Sequence, residues 1–333
     1  MKIIFDLRRV GLGNNGGSST LIKSGNTLVD LGHDVTFIDG GKNQHTWTPL
    51  KANHIIPKSN ANIPSADFII ATGYKSVATT LSAPGRLGHK CHWIRAWEHW
   101  QMSDSQIIEK ILKASTLKLV NSICLRDKLK KYEIDSYLIR PGYDFDMLYP
   151  MNIRQNKKRI VIAGLNREGV HGKRKRTQWL YETAEKVKDK YPNVSFWLFG
   201  SEKAPTSRLV DKYIQNPSIE DKNKFYNMVD IWMATTESEG LHLPPAEAMI
   251  TECPVVTTAA ELSGTQDYTI QYKTGIISNN DLKSFIECVN LLIEDKDLRL
   301  CLGKSAREKI LEMGDRKKNM QKLINLFMGI ITK

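Results

Sequence analysis

Short runs rich in Ile, Val and Phe alternate with helix-length segments along most of the chain, and the alternation starts afresh near residue 160. In the first series Lys2–Asp6, Asp34–Ile38, Asp67–Thr72, Cys91–Ala96, Leu117–Val120 and Ser136–Ile139 read as strands, with helices over Ser18–Leu31 and Ser103–Ala114. In the second, strands at 160–163, 194–200, 231–235 and 254–258 alternate with helices at 177–190, 220–228, 281–295 and 297–312. Strands joined by helical crossovers imply parallel sheets, because parallel neighbours need a connection that long. The polar, basic segment 151–159 follows Pro150 and reads as a linker. The expectation is α/β: a Rossmann-like domain over 1–150, a second over 151–312, and a last helix, 313–333, packing back on the first. Ligands of such sheets bind at the carboxyl ends of the strands.

Composition narrows the partners. The chain has 333 residues, 41% hydrophobic and 25% charged, enough apolar material for two cores. Its apolar runs fall far short of a membrane span, and Ile3-Ile4-Phe5 opens a strand after one lysine instead of a secretory core. The reading is a cytoplasmic protein without a transmembrane segment. Five cysteines show no metal spacing and read as small buried apolar side chains. The net charge of +12 is shared by both halves, with concentrations at 173–176 and 110–131. Such a balance favours anionic partners: nucleotides, phospholipid surfaces or nucleic acid.

The stretch "RRVGLGNNGGSSTLIKSGNTLVDLGHDVTFID", Arg8 to Asp39, holds a G-x-G-x-x-G at Gly11, Gly13 and Gly16, with Asp39 about where a dinucleotide's ribose would be held. The context departs from a nicotinamide or flavin site. Arg8-Arg9-Val10 intervene after the strand, and the helix is expected to start only near Ser18. What remains is a loop, Gly16 and Gly17 included, whose backbone can approach a phosphate at a helix N-terminus. The non-enzymatic alternative is a basic nucleic-acid-binding protein.

The second half carries the stronger signal, "EGLHLPPAE" at 239–247. Pro244-Pro245 suit a helix's first turn but not its interior. Glu239 therefore belongs on the loop after the "IWMAT" strand, and Glu247 in the first turns of the next helix. That arrangement offers one carboxylate to sugar hydroxyls and one to a ribose diol, with the amides of Gly240, Leu241 and His242 toward anionic oxygens. A glycosidase pair would also use two carboxylates, but nothing else in the sequence resembles one.

At these residues the chain resembles the retaining glycosyltransferases of the GT-B fold, family 4, whose E-x7-E motif stands here as "EGLHLPPAE" followed by "AM…PVV". The resemblance spans almost the whole chain: the glycine loop and helix, "RPGYDFDMLYP" at the interdomain signature, the run into Glu239, and "ELSGTQDYTIQYKTGIIS" in the tail. It implies two Rossmann-like domains facing across a cleft, a nucleotide diphosphate sugar donor (UDP-linked) held mainly by the second domain, and an acceptor hydroxyl at the first. Pro141 replaces a usual asparagine and His242 a usual glycine. The family's diphosphate is clamped by an Arg and a Lys five or six residues apart. Here Arg167 is the Arg. Spacing from it favours Lys173, while helix register counted back from Leu180 favours Lys175 or Arg176.

Asp144 and Asp146 form a D-x-D inside the interdomain signature, so Asp144 reads as structural and no metal or other cofactor is expected. His99 is carried over as a donor-sugar contact, Glu98 beside it is a candidate, and Ser263-Gly264-Thr265 follow near the donor. The catalytic set expected is Glu239, His99 and Arg167. The donor-binding set is Gly16, Gly17, Arg167, Lys173, Lys175, Glu239, Gly240, Leu241, His242 and Glu247. With the positive charge, the resemblance implies an anionic acceptor, a membrane-surface glycan or lipid at the inner membrane face, with a hydroxylated base in DNA as the alternative.

Overall fold

The computed structural model describes every residue except 14, 42–46, 99–101, 152, 155–157 and 333, and the side chains of all described residues except 170 and 171. Met1–Gly142 with Asp315–Lys333 form one compact unit, and Tyr143–Gly314 the other.

The first unit holds β1 (Lys2–Leu7), β2 (Asp34–Asp39), β3 (Asn53–Ile55), β4 (Phe68–Ala71), β5 (His89–Ile94), β6 (Leu117–Val120) and β7 (Tyr137–Leu138). All pair in parallel in the order β3-β2-β1-β4-β5-β6-β7. Its helices are α1 (Gly16–Asp30), α2 (Tyr74–Leu81), α3 (Asp104–Ile107, continued in a wider turn to Leu112) and α4 (Ile123–Lys130).

The second unit holds β8 (Ile160–Leu165), β9 (Val194–Gly200), β10 (Lys212–Gln215), β11 (Ile231–Ala234), β12 (Val255–Thr258) and β13 (Ile276–Ser278), again parallel, in the order β10-β9-β8-β11-β12-β13. Its helices are α5 (Gly169–Lys175), α6 (Thr177–Lys190), α7 (Ile219–Met228), α8 (Leu243–Ile250), α9 (Leu282–Glu294) and α10 (Lys296–Met313). Each sheet is doubly wound. Its order reverses between β1 and β4 in one unit and between β8 and β11 in the other, which is where such sheets open a crevice.

The last helix, α11 (Arg316–Ile331), belongs to the first unit. Its Met320, Leu323, Ile324 and Phe327 join Ile3, Phe5, Phe37 and Trp93 in one core, and Phe327 stacks on Phe68 with ring centroids 3.8 Å apart. Cutting Phe327 back to alanine would cost about 3–5 kcal/mol. The chain crosses itself where Gly142, at φ +75°, lies so close to Asp315 that a Cβ would come 2.4 Å from its carbonyl oxygen.

The unit boundary at 142/143 corrects the linker expected at 151–159. Tyr143 and Leu148 are buried in the second unit's core. The backbone N–H groups of Tyr149 and Met151 donate to Asn223 (3.0 Å) and Asn227 (2.7 Å), and Arg154 donates to the carbonyls of Tyr226, Thr251 and Glu252. A segment rich in donors reads as solvated until its acceptors, all distant in sequence, are known. The cysteines differ in part from expectation: Cys91, Cys124 and Cys253 are buried, Cys288 is half-buried and Cys301 is exposed.

Candidate functional site

At the carboxyl end of β11 the chain makes a loop, 235–242, before α8 begins. Pro244 and Pro245 lie in the first turn of α8, where no intrahelical N–H is lost. The loop is fastened to α5 by three contacts. Thr235 Oγ1 donates to the Lys175 carbonyl (2.7 Å), Glu237 N donates to the Arg174 carbonyl (3.1 Å), and the Lys175 ammonium donates to the Glu239 carboxylate. Glu239 N is bonded to Leu262 O at 2.6 Å. Burial alone would raise the pKa of Glu239, but the Lys175 charge and hydrogen bond outweigh it and hold the carboxyl at about 2.

Glu247 lies in α8, where its Oε2 accepts from Tyr226 Oη at 2.9 Å and stands 3.7 Å from Lys222 Nζ. Gly240, Leu241 and His242 form the turn between the two glutamates. His242 takes the left-handed conformation, φ +46°, which explains why glycine suits this position. Its carbonyl accepts from Tyr268 Oη (2.7 Å) and its Nε2 lies 3.3 Å from Thr236 Oγ1. Among the described residues its buried Nδ1 meets no partner. Burial lowers the imidazole pKa to about 3. The ring is therefore neutral at physiological pH, and Lys175, with a smaller contribution from Arg174, holds Glu239 ionised. Gly264, at φ +74°, backs this turn so closely that a Cβ would lie 2.8 Å from Gly240 O.

The basic cluster sends its side chains in separate directions. Lys175 reaches Glu239. Arg176 pairs with Glu237 (3.1 Å), donates to Asn280 and lies 4.5 Å over the Trp179 ring. Lys173 is exposed. Of the three candidates left open by the sequence, Lys175 is the one brought to the glutamate. Arg167, just past β8, pairs with Glu202 at 3.2 Å and donates to Ser201 Oγ. Asn166, Arg167, Lys173, Arg176 and Trp179 line a cavity of about 510 Å³.

In the first unit Gly16 opens α1, and Asn15 caps it by accepting from Ser18 N at 2.9 Å. This corrects the expected start at Ser18: Asn15 satisfies the first-turn donors earlier than a serine cap would. Gly17 O accepts from Arg95 Nη1 at 2.7 Å. Asp39 is turned into its own loop, accepting from Gly41 N at 2.9 Å. The intervening Arg8 is bound bidentately, 2.9 and 2.7 Å, to the fully buried Asp6. Glu98 accepts from Tyr74 N at 2.6 Å and so caps α2. His99 lies outside the described residues. Asp144 O accepts from the backbone of Met147 and Leu148, which sets the D-x-D in a turn. Among the described residues no group of three or more His, Cys, Asp or Glu gathers as for a metal ion.

Sequence reasoning passed over Tyr226, Ser201 and Glu202. Tyr226 stands in the run leading to Glu239 and its hydroxyl had no visible partner there. Ser201-Glu202 follow a strand end, and that position was their one signal.

Residues 157–295 match the family of Glycosyl transferases group 1. A capsular polysaccharide biosynthesis glycosyltransferase, CapM, of Staphylococcus aureus is 30% identical over 128 residues, 35% of this chain and 33% of that protein. A poly(ribitol-phosphate) alpha-N-acetylglucosaminyltransferase of Staphylococcus aureus is 28% identical over 169 residues, 46% of this chain and 33% of that one. The aligned part thus spans about a third of the length of these curated relatives. Among solved structures, HepE of Anabaena in complex with UDP and glucose superposes with a TM-score of 0.78 at 15% identity, over 99% of this chain and 100% of that one. Sucrose-phosphate synthase from Thermosynechococcus elongatus gives 0.76 at 15%, over 99% of each chain. These likenesses show the GT-B fold, and with the group 1 match in the second unit they support a glycosyltransferase.

Proposed function

We propose that this protein is a retaining glycosyltransferase of family 4 that transfers a sugar from a UDP-linked donor to a hydroxyl of an anionic or membrane-associated glycan or lipid. The observation that carries the reading is the Lys175–Glu239 pair at the carboxyl end of β11, with Glu247 on the helix that follows. As the glycosidic bond to phosphate lengthens, negative charge grows on the diphosphate and the anomeric carbon becomes cation-like. Arg167 and Lys175 stabilise the phosphate charge, aided by the turn amides of Gly240, Leu241 and His242. Glu239 orients the sugar, Glu247 the ribose, and Lys173 adds long-range attraction. The leaving phosphate oxygen takes the acceptor's proton on the same face, so no separate base and no metal is required.

The acceptor class draws on the names of the relatives, one for capsular polysaccharide and one for poly(ribitol-phosphate), and on the net charge of +12. The test is slow donor hydrolysis across a panel of sugar nucleotides, then transfer to polyol-phosphate and glycolipid acceptors, with and without EDTA. Hydrolysis of a UDP-sugar that survives EDTA is expected, with retained configuration in the product. No turnover of any sugar nucleotide would remove the reading.

A further inference from the structure

The turn after β9 contains an anion site that the chain fills itself. Glu202 Oε2 accepts from Ser201 N at 3.1 Å and from Ser201 Oγ at 3.2 Å, while Oε1 accepts from Arg167 Nη1 at 3.2 Å. A backbone N–H, a hydroxyl and a guanidinium converging on one carboxylate are the donors that also bind a phosphate oxygen. The backbone beneath is fixed independently of that side chain. Tyr213 Oη donates to Glu202 O at 2.7 Å, and Gln215 Nε2 donates to Ser201 O at 3.3 Å. Gly200 lies so close to Asn166 that a Cβ would meet its carbonyl oxygen at 2.6 Å. The Glu202 side chain is 22% exposed, so it can swing into water while the donors stay in place.

We propose that Glu202 is an internal competitor for the donor's diphosphate, holding Arg167 and the Ser201 donors until a phosphate oxygen displaces it. The proposal rests on reading Arg167 as the diphosphate cation. The exchange keeps the quarter-exposed guanidinium paired before and after binding, and no partly buried charge is stranded. It lowers the affinity for every phosphate-bearing ligand by the strength of the internal pair, which favours release of the nucleoside diphosphate product. The Glu202 carboxylate is ionised at neutral pH. Burial opposes that, but a hydrogen bond from the backbone N–H of Glu202 itself and the Arg167 guanidinium lower its pKa below the ordinary carboxylate value.

The experiment is calorimetry on the full chain with UDP, inorganic pyrophosphate and uridine, comparing wild type, E202Q, R167A and the double variant. E202Q should bind UDP and pyrophosphate about fivefold more tightly, the upper end for a partly exposed ion pair, and uridine no differently. In the R167A background E202Q should tighten UDP binding by less than in wild type, since only the Ser201 donors remain to be freed. Unchanged or weaker UDP binding by E202Q, while R167A still weakens it, overturns the internal competitor and leaves the functional reading intact. Equal tightening for uridine assigns Glu202 a general structural role and also overturns the proposal. Unchanged UDP affinity in R167A removes Arg167 from the diphosphate site, and the proposal falls with that reading.

Discussion

The ammonium of Lys175, at the last residue of α5, donates to the carboxylate of Glu239 on the loop after β11, 64 positions further along the chain. The side chains are 13% and 19% exposed, so water screens the pair only in part. This contact sets both the charge state of Glu239 and the register of the basic cluster.

Stability should depend on pH through Glu239. Its pKa falls from 4.5 to about 2 on folding, so the carboxylate contributes about 3 kcal/mol of stability above pH 4.5. Because the folded value is the depressed one, that contribution is lost as pH falls from about 4.5 through about 2. Denaturant melts of wild type and Glu239→Gln should differ by about that amount at pH 6 and converge near pH 2. A difference independent of pH would show that the pair is not the source.

Lys175→Ala should weaken UDP binding by about tenfold, and Lys173→Ala by less than about twofold, since the first removes a charge-assisted contact and the second an exposed charge. The converse ranking would place the diphosphate on the outer side of α5.

Glu239→Ala and Glu247→Ala should each lower turnover by at least about tenfold. Tyr226→Phe removes the hydroxyl that donates to Glu247 and leaves the ring in its core. It should raise the donor KM with little change in kcat, whereas loss of packing would lower the melting temperature without that split.

The two sheets were legible because their central strands are buried on both faces and therefore apolar throughout, as in Phe68–Ala71 and Ile231–Ala234. The strands the reading missed, β3, β10 and β13, are all sheet edges. There one neighbour suffices, and polar residues such as Asn53 and Gln215 are tolerated. Helix α5 was hidden in a run of cations, a pattern that also suits a solvated turn. Glu239 and Glu247 were legible because two adjacent prolines restrict where a helix starts. Glu202 was not, since its meaning lies in Arg167, 35 residues away in sequence.

His242 tests the backbone of the motif. At φ +46° an L-residue is strained by about 1 kcal/mol relative to glycine. His242→Gly should therefore be more stable than His242→Ala by about that amount in chemical denaturation, because both lose the imidazole and differ only in backbone preference. If alanine proved the more stable, the turn would have a different conformation.

The proposed anionic acceptor can be tested through the cations of the first unit. Lys110, Lys113, Arg126, Lys130 and Lys131 are exposed around α3 and α4. Lys118, of the same basic stretch, is instead 5% exposed and donates to the carbonyls of Ala114 and Thr116. Each exposed cation near an anionic bilayer contributes about 1 kcal/mol of attraction. Replacing Lys110, Lys113, Lys130 and Lys131 together by Gln should release the protein from anionic liposomes, while Lys118→Gln should act on stability alone. DNA binding would instead fall with salt, at a log–log slope of about −0.9 per phosphate contacted. Flotation with anionic lipid and a DNA salt titration, run on the same variants, separate a membrane acceptor from a nucleic-acid one. Retention on liposomes by the quadruple variant would show that this basic surface does not face the acceptor.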